Sequence, residues 1–180
     1  MPSRGGQLLI ASHRLRDPNF AQAVVLVVKD DEEDGALGVI LNRPMDVSVA
    51  DACGSEIEAA SDVHALLHQG GPCEGPVIVL HGSAAGGGEE ILDGVRFSTD
   101  RHEIESLMAS NAAPILYFAG YSGWSPGQLQ AEIDEGSWLI APASARQVFD
   151  PRASWSKLMT WLTLGCAVDL DRIPNDPSVN

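Results

Sequence analysis

Positive charge is scarce in this sequence of 180 residues. It contains 11 lysines and arginines against 25 aspartates and glutamates, which gives a net charge of −14. Proteins that bind nucleic acid gain much of their affinity by neutralising phosphates with Lys and Arg. The sequence therefore argues against direct binding to nucleic acid, and the thin cluster of Arg4, Arg14 and Arg16 near the start does not change this.

Long apolar runs and paired cysteines are also lacking. The longest clean apolar run, Ala23 to Val28, is far shorter than the roughly 20 residues of a membrane-spanning helix, and the first residues lack the apolar region of a secretory signal. The three cysteines, Cys53, Cys73 and Cys166, are widely spaced without a C-x-x-C pair. This argues against a disulfide framework and for a reducing compartment. We therefore predict a cytoplasmic protein that does not enter a membrane.

Short β-rich runs joined by turns dominate what is present. The runs 23–29 and 36–41 flank an acidic turn ending in Asp34-Gly35, which predicts a hairpin, and Pro44 closes its second strand. Further strands are predicted at 8–11, 65–69, 77–81, 91–98, 114–121 and 138–141, with 65–69 and 77–81 flanking a Gly70-Gly71-Pro72 turn. The pattern favours an α+β fold with a mostly antiparallel, curved sheet and helices packed on its outside.

One helix start is unusually explicit. Ser125 suits the N-cap, Pro126 the first helical position and Gln128 the third, so that the three predict a capping box for a helix that runs from 126 to 135. Trp124 and Leu129 are spaced as its hydrophobic staple.

Three more helices begin with comparable signals at Ser48, at Asp100 with Glu103, and at Asp150-Pro151. The last of these has an apolar face and a stop at Gly165; the face consists of Trp155, Leu158, Met159 and Leu162. We predict one domain over residues 1–168 and a polar, poorly ordered tail over 169–180.

Three long motifs carry a family resemblance. They are ASHRLRDPNF at 11–20, LGVILNRP at 37–44, and GYSGWSPGQLQAEI at 120–133 with the downstream SWLIAPA at 137–143. Gly70-Gly71-Pro72 and Val79-Leu80-His81 fall between them in the expected order. Together the motifs resemble the AlgH/YqgE family of small bacterial proteins, over roughly residues 7 to 165.

The resemblance says more about the fold of this protein than about its activity. It implies an α+β fold whose bifurcated sheet rolls into a pseudo-barrel, and a proposed role in regulating alginate synthesis and related gene expression. The family usually has proline where His13 stands and alanine where Ser122 stands, so neither residue is a family-wide catalytic group. We expect a non-catalytic module that binds a ligand or protein and affects gene expression only indirectly.

A small hydrolase is the alternative function. Gly120-Tyr121-Ser122-Gly123 follows a predicted strand and resembles the G-x-S-x-G turn that presents a nucleophilic serine. Trp124 takes the place of the second glycine, and no His and Asp partners can be identified. In this alternative, the hydrolase attacks its substrate with Ser122 or with an activated water molecule.

Metal and cofactor signals are weak. His64 and His68 have the spacing of two ligands on one helix face, but their segment favours a strand equally well. The acidic turn at 30–34 lacks the spaced ligands of a calcium loop, and the glycines at 86–88 form no nucleotide-binding motif. We predict no metal and no cofactor, and we interpret His81 and His102 as sheet-edge and helix-surface residues.

A set of polar and glycine residues at turns and strand ends forms the candidate binding groove. Arg43 offers a forked donor for a carboxylate or phosphate, and Trp124 or Tyr121 a flat apolar wall. The competing interpretation is that the polar members cap turns and pair with one another. The predicted partner is a small anion, a peptide end or a loop of another protein, and the candidate residues are Asp17, Asn19, Asn42, Arg43, Gly70, Gly71, Tyr121, Trp124 and Gln128.

Overall fold

The computed structural model describes residues 4–55, 57, 60, 63–83, 86–110, 113–150 and 154–163. The strands in these ranges are β1 Gln7–Ala11, β2 Val24–Asp31, β3 Gly35–Ile40, β4 Pro44–Ser48, β5 Leu66–Gln69, β6 Ile78–His81, β7 Glu89–Leu92, β8 Val95–Ser98, β9 Ile115–Ala119, β10 Ser122–Trp124 and β11 Trp138–Pro142. The helices are α1 Val49–Cys53, α2 Arg101–Ala109, α3 Gln128–Asp134, α4 Ala145–Phe149 and α5 Trp155–Thr163. The predicted tail, Gly165 and Cys166 lie outside the described residues.

The strands form two open sheets. The first has the order β10-β3-β2-β1-β11 and the second β4-β5-β9-β6-β8-β7. Neighbours are antiparallel except β5 and β9, which run parallel. The predicted α+β fold with mostly antiparallel strands is confirmed. The bifurcated sheet consists of two sheets with their own edge strands, and neither closes into a barrel within the described ranges.

Successive side chains of a strand point to opposite faces of its sheet, and this alternation creates three apolar layers. Leu8 and Ile10 of β1 join a core shared by both sheets, whereas Leu9 and Ala11 point to the other face of the first sheet, where α3 packs. This is the period of two expected of a strand buried on both faces. The outer face of the second sheet is covered by α1 and α2.

The chain passes between the sheets at one junction. It leaves the first sheet after β3 and enters the second at β4, and it returns from β9 to β10 through Gly120 and Tyr121. Gly120 has a φ of 70°, which favours glycine. The Gly70 carbonyl accepts the N–H of Ile40, and Cys73 pairs with Tyr121 in an isolated bridge. The two sheets are thus tied together by backbone hydrogen bonds.

Several of the predicted strands and helices are present in the structure, and several have boundaries that differ from the prediction. The 24–40 hairpin, the Ser48 and Asp100 caps and the buried face of α2 agree with the predictions. Strand β4, which begins at Pro44, was not predicted; it lies at the edge of its sheet, where proline's missing N–H costs no ladder bond. The strands β5 and β6 are not neighbours, because β9 lies between them.

The helix after Trp124 begins later than predicted. Gly127 has a φ of 77°, so the right-handed helix begins only at Gln128 and Ser125 is not its N-cap. Half of the predicted capping box survives, since the Gln128 side chain accepts the N–H of Ser125 at 3.0 Å. Residues 122–124, predicted as a turn, form β10.

The C-terminal helices also differ from the prediction. Ser144 caps the unpredicted α4 with a complete capping box, and Asp150 ends that helix, so α5 begins only at Trp155. Leu158 and Met159 are buried as predicted, whereas Leu162 is 38% exposed. No helix among the described residues has the length and apolarity needed to cross a membrane.

Candidate functional site

Residues 12–22, which form most of the connection between β1 and β2, are held by Asn42 and Arg43. We call this segment the arginine loop because it carries Arg14 and Arg16. The Arg43 guanidinium donates to the Ala21 carbonyl at 2.9 Å and to the Pro18 carbonyl at 3.5 Å. The Asn42 amide donates to the Gln22 carbonyl and accepts the N–H of Val24, both at 2.8 Å. Two side chains after β3 therefore fasten this loop to the sheet.

The arginine loop is also ordered from within. Asp17 accepts the N–H of Asn19 at 2.8 Å with its carboxylate, and the N–H groups of Phe20 and Ala21 with its carbonyl. Gln22 adopts a φ of 59°, which is uncommon for a residue with a side chain. Asp17, Asn19, Asn42 and Arg43 thus meet at one loop, in contacts with local backbone that match the competing, turn-capping interpretation.

Trp124 lies in the interior. Only 4% of its surface is exposed, and its ring stacks on Phe20 at 6.2 Å and meets Trp138 edge-on at 6.0 Å between ring centroids. The prediction that Trp124 forms the flat wall of an open groove is therefore wrong. Its ring packs instead into the apolar layer between the first sheet and α3, which we call the second core layer. Gln128 lies nearby on the surface, where it donates to Glu132 Oε1 at 2.9 Å.

Gly70, Gly71 and Tyr121 lie at the junction of the sheets. A Cβ atom at Gly70 would overlap the Gly120 carbonyl, and one at Gly71 would overlap the Tyr121 backbone. Close backbone approach thus explains both glycines without a ligand. The nine predicted residues fall into three groups, at the arginine loop, at the junction and beside α3, and their use in binding stays a prediction.

Ser122 is fully buried and donates its hydroxyl to the Gly70 carbonyl at 3.1 Å. The side chain that the serine form of the hydrolase alternative uses as a nucleophile is therefore closed to solvent, and it joins β10 to the junction. An exposed serine at a strained turn, as in the hydrolase motif, does not form here.

The histidines are dispersed. His81 is fully buried on β6, an inner strand between β8 and β9, so its prediction as a sheet-edge residue was wrong. Burial lowers the pKa of His81 and also that of His68, which lies half-buried beside Phe118. His64 and His102 are exposed. Within the described ranges no three His, Cys, Asp or Glu side chains are grouped so as to hold a metal ion.

Arg14 and Arg16 stand out among the cations and were missing from the predicted site. Several other basic side chains have carboxylate partners, namely Arg4 with Asp30, Lys29 with Glu89, Arg96 with Glu90 and Arg101 with Glu105. Arg14 and Arg16 are exposed, and no ion pair forms at either in the part of the chain that the structure describes. The sequence signal for this pair was the run Arg14-Leu15-Arg16. It received no weight because the chain as a whole is strongly acidic.

The surface also carries two concavities away from the arginine loop. One, of about 230 Å³, lies at the β2–β3 turn, where Arg4 is already paired with Asp30 at 3.1 Å. The other, of about 650 Å³, lies between α2 and the glycine-rich connection that precedes β7. Neither was predicted, because each is formed by segments distant in sequence.

Comparison with known proteins gives consistent matches. A family model described as AlgH-like matches residues 8–166. The chain is 39% identical to a UPF0301 protein of Chlorobaculum tepidum over 84% of this chain and 83% of that one, and 35% identical to one of Thermobifida fusca over 97% and 94%.

Two solved structures share the fold. The solution structure of the AlgH protein from Pseudomonas aeruginosa superposes with a TM-score of 0.73 at 28% identity, covering 94% of this chain and 92% of that one. A crystal structure of a protein from Corynebacterium diphtheriae gives 0.70 at 25% identity, with 87% and 85% covered. On the family match and these relatives, the chain belongs to the AlgH-like family.

Proposed function

We propose that this protein works by binding rather than by catalysis, and that its arginine loop receives an acidic segment of a partner protein. The observation that carries the proposal is the placement of Arg14 and Arg16. They are exposed cations without an ion pair in the described ranges, on a loop held by Arg43 and Asn42.

Charge supports an anionic partner. The whole chain carries −14, so a small cationic area is the part of its surface that repels an acidic partner least. Guanidinium groups bind carboxylates and phosphates through paired hydrogen bonds. Complementary charge then steers the encounter and fixes the orientation of the partner.

Rigidity supports binding as well. Leu15 and Phe20 pack against the second core layer, and Arg43 holds the carbonyls of the same loop. A loop that is already ordered loses little conformational entropy when a partner binds. Arg43 thus acts here by positioning the loop rather than by contacting the anion.

The proposal places the protein in the cytoplasm and makes any influence on gene expression indirect, through the partner. Direct binding to a duplex is disfavoured by the excess of 25 acidic over 11 basic residues. The serine form of the hydrolase alternative is disfavoured by the burial of Ser122.

The test is a titration of isotope-labelled protein with an octaglutamate peptide and, separately, with inorganic phosphate, at low salt. We expect the peptide to shift the amide resonances of residues 12–22. Arg14→Gln with Arg16→Gln should weaken this binding by roughly tenfold or more. Phosphate distinguishes a general anion site, which it would occupy with similar shifts, from a site for an extended acidic segment.

The matched control is Lys29→Gln with Lys157→Gln, which makes the same change in net charge at exposed positions outside the loop. It should leave peptide affinity nearly unchanged. Equal weakening by both pairs, or peptide shifts outside residues 12–22, would contradict a specific site on the arginine loop.

A further inference from the structure

The larger concavity lies between one face of α2 and the connection from β6 to β7. We call it the α2 cleft. Glu103, Ser106 and Leu107 line it from the helix, and Ser83, Gly86 and Gly87 line it from the connection. Its volume of about 650 Å³ falls in the range of small-molecule sites, roughly 300 to 1,000 Å³.

The glycine wall of the cleft is held from behind. His81 Nε2 donates to the Gly87 carbonyl at 3.1 Å, and Arg96 Nε donates to the same carbonyl at 3.2 Å. Arg96 Nη2 donates to the Gly88 carbonyl at 2.6 Å. Three donors therefore fix two successive carbonyls of a segment whose glycines would otherwise leave it free to change conformation.

The carboxylate of Glu103 is fixed as well. The buried hydroxyl of Ser98 donates to Glu103 Oε2 at 2.5 Å, and Asp100 caps the helix by accepting the N–H of Glu103 at 3.0 Å. Oε1 lies against Gly87, where a Cβ atom would overlap it. The absence of a side chain at Gly87 thus leaves room for this oxygen on the wall of the cleft.

A buried acceptor without a partner lies behind the same wall. Because His81 Nε2 donates to a carbonyl, Nδ1 is the unprotonated nitrogen of a neutral ring, and it makes no hydrogen bond within the described residues. A Cβ atom at Gly86, which lines the cleft, would lie 3.0 Å from Nδ1 and 3.0 Å from Leu107 Cδ2, so this glycine lies between the imidazole and the cleft. Native proteins rarely leave such an acceptor unsatisfied, and a donor entering past Gly86 would satisfy it.

The lining decides the class of ligand. Glu103 supplies a carboxylate and His102 an imidazole, and no lysine or arginine lines the cleft within the described residues. An anion would be repelled, whereas an ammonium group would gain a charge-assisted hydrogen bond. The hydroxyls of Ser83 and Ser106 suit a ligand with hydroxyl groups of its own. We propose that the α2 cleft binds a small hydroxylated primary amine of about the size of an amino sugar.

The experiment titrates the full chain with glucosamine and with glucose, near neutral pH, followed by amide resonances and calorimetry. Glucosamine should shift the resonances of Gly86, Gly87 and Glu103 and bind at least about tenfold more tightly than glucose, which lacks the ammonium group. Glu103→Gln should remove this preference. Glu105→Gln, on the same helix but paired with Arg101 on the surface, should leave it intact.

A second variant keeps the test decisive should Glu103→Gln unfold. Ser106 is exposed, so Ser106→Phe fills the cleft without disturbing the core and should abolish glucosamine binding. Equal affinity for the two sugars, no binding of either, or binding that survives Ser106→Phe would overturn the proposal. Arg14→Gln with Arg16→Gln leaves the cleft untouched, so this result is independent of the arginine loop.

Discussion

Glu132 Oε2 accepts the indole N–H of Trp138 at 2.7 Å, and the same oxygen accepts the indole N–H of Trp124 at 3.0 Å. The two tryptophans belong to β11 and β10, the opposite edges of the five-stranded sheet. In a flat sheet those edges would be about 19 Å apart, four strand spacings. Their rings lie 6.0 Å apart between centroids, so the sheet curls around α3 and Glu132 joins its two edges.

Replacing Glu132 should loosen this closure. Glu132→Ala leaves two indole N–H groups without their acceptor, and we expect a loss of about 2 kcal/mol in the free energy of unfolding, part of the cost being offset by water at this half-buried position. Denaturant unfolding followed by tryptophan fluorescence measures it. Glu135→Ala, an exposed position just after α3, is the matched control and should change stability little. Equal effects of the two variants would contradict a closing role for Glu132.

Local sequence signals explain how much of the packing around Trp124 was predictable. The spacing of Trp124 and Leu129 predicts that they pack together, and both are buried in one cluster. The convergence of Trp138 on the same carboxylate depends on the curl of a whole sheet, which no local pattern encodes. For the same reason Trp124 was expected at the surface: its turn signals were visible, but the sheet edge and the Phe20 ring that cover it were not.

The junction of the sheets tolerates no side chain at Gly71. A methyl group there would overlap the Tyr121 backbone, and neither segment can move without breaking the hydrogen bonds that join the sheets. Gly71→Ala should cost at least about 3 kcal/mol of stability or prevent folding. Thermal unfolding and soluble yield measure the effect.

Gly127→Ala is the control for that substitution. Gly127 has a φ of 77°, but a Cβ atom at this position would meet nothing within 4 Å, so the substitution tests backbone conformation alone. We expect a cost of about 1 to 2 kcal/mol. If Gly71→Ala were no worse than Gly127→Ala, the steric account of the junction would be wrong.

Ser122 should matter for stability and not for turnover. Ser122→Ala removes the hydrogen bond to the Gly70 carbonyl, which still accepts the N–H of Ile40, so the cost should be about 1 kcal/mol. Any hydrolysis of p-nitrophenyl acetate by the protein should be the same in the variant and the parent. A large fall in turnover with unchanged stability would instead restore the serine mechanism.

Acidification should destabilise the fold through His81. Burial, its largest influence, lowers the pKa of this imidazole below the ordinary value of 6.5, so the unfolded chain binds a proton before the folded one does. Stability contributed by the neutral ring is therefore complete above pH 6.5 and falls as the pH decreases toward the lowered folded-state pKa. The slope for one such group is at most about 1.4 kcal/mol per pH unit.

His81→Gln checks this assignment. The amide keeps an N–H donor for the Gly87 carbonyl but does not titrate, so the variant should lose less stability than the parent between pH 7 and pH 5. His102→Gln, at an exposed histidine on α2, serves as the control for the substitution itself. Asp31 does not interfere in this range, because the backbone N–H groups of Asp34 and Glu33 lower its pKa below 3.8. Parallel profiles for parent and His81→Gln would refute the assignment.

The polar residues within and beside the arginine loop mark the limit of what the sequence predicts. Asp17, Asn42 and Arg43 were correctly placed at turns, because short polar side chains and an Asn-Arg-Pro sequence signal a change of direction. Whether their side chains face a ligand or the backbone depends on which distant carbonyls lie within reach. In this fold the carbonyls of Pro18 and Ala21 lie there, and they engage the guanidinium that was expected to meet an anion.

Arg43 should therefore control the order of the loop more than the chemistry of binding. Arg43→Met keeps the aliphatic stem but removes both donors, and we expect the protection of the Phe20, Ala21 and Ala23 amides against hydrogen exchange to fall by about tenfold, since a loop opens more often when its anchoring bonds are lost. Arg14→Met, which removes an exposed guanidinium without an ion pair in the described ranges, should leave that protection unchanged. Because the cations that meet the partner stay in place, Arg43→Met should weaken octaglutamate binding less than Arg14→Gln with Arg16→Gln does. If Arg43→Met abolished binding while loop protection stayed at the parent level, Arg43 would be a direct ligand for the anion and the arginine loop would need no internal anchor.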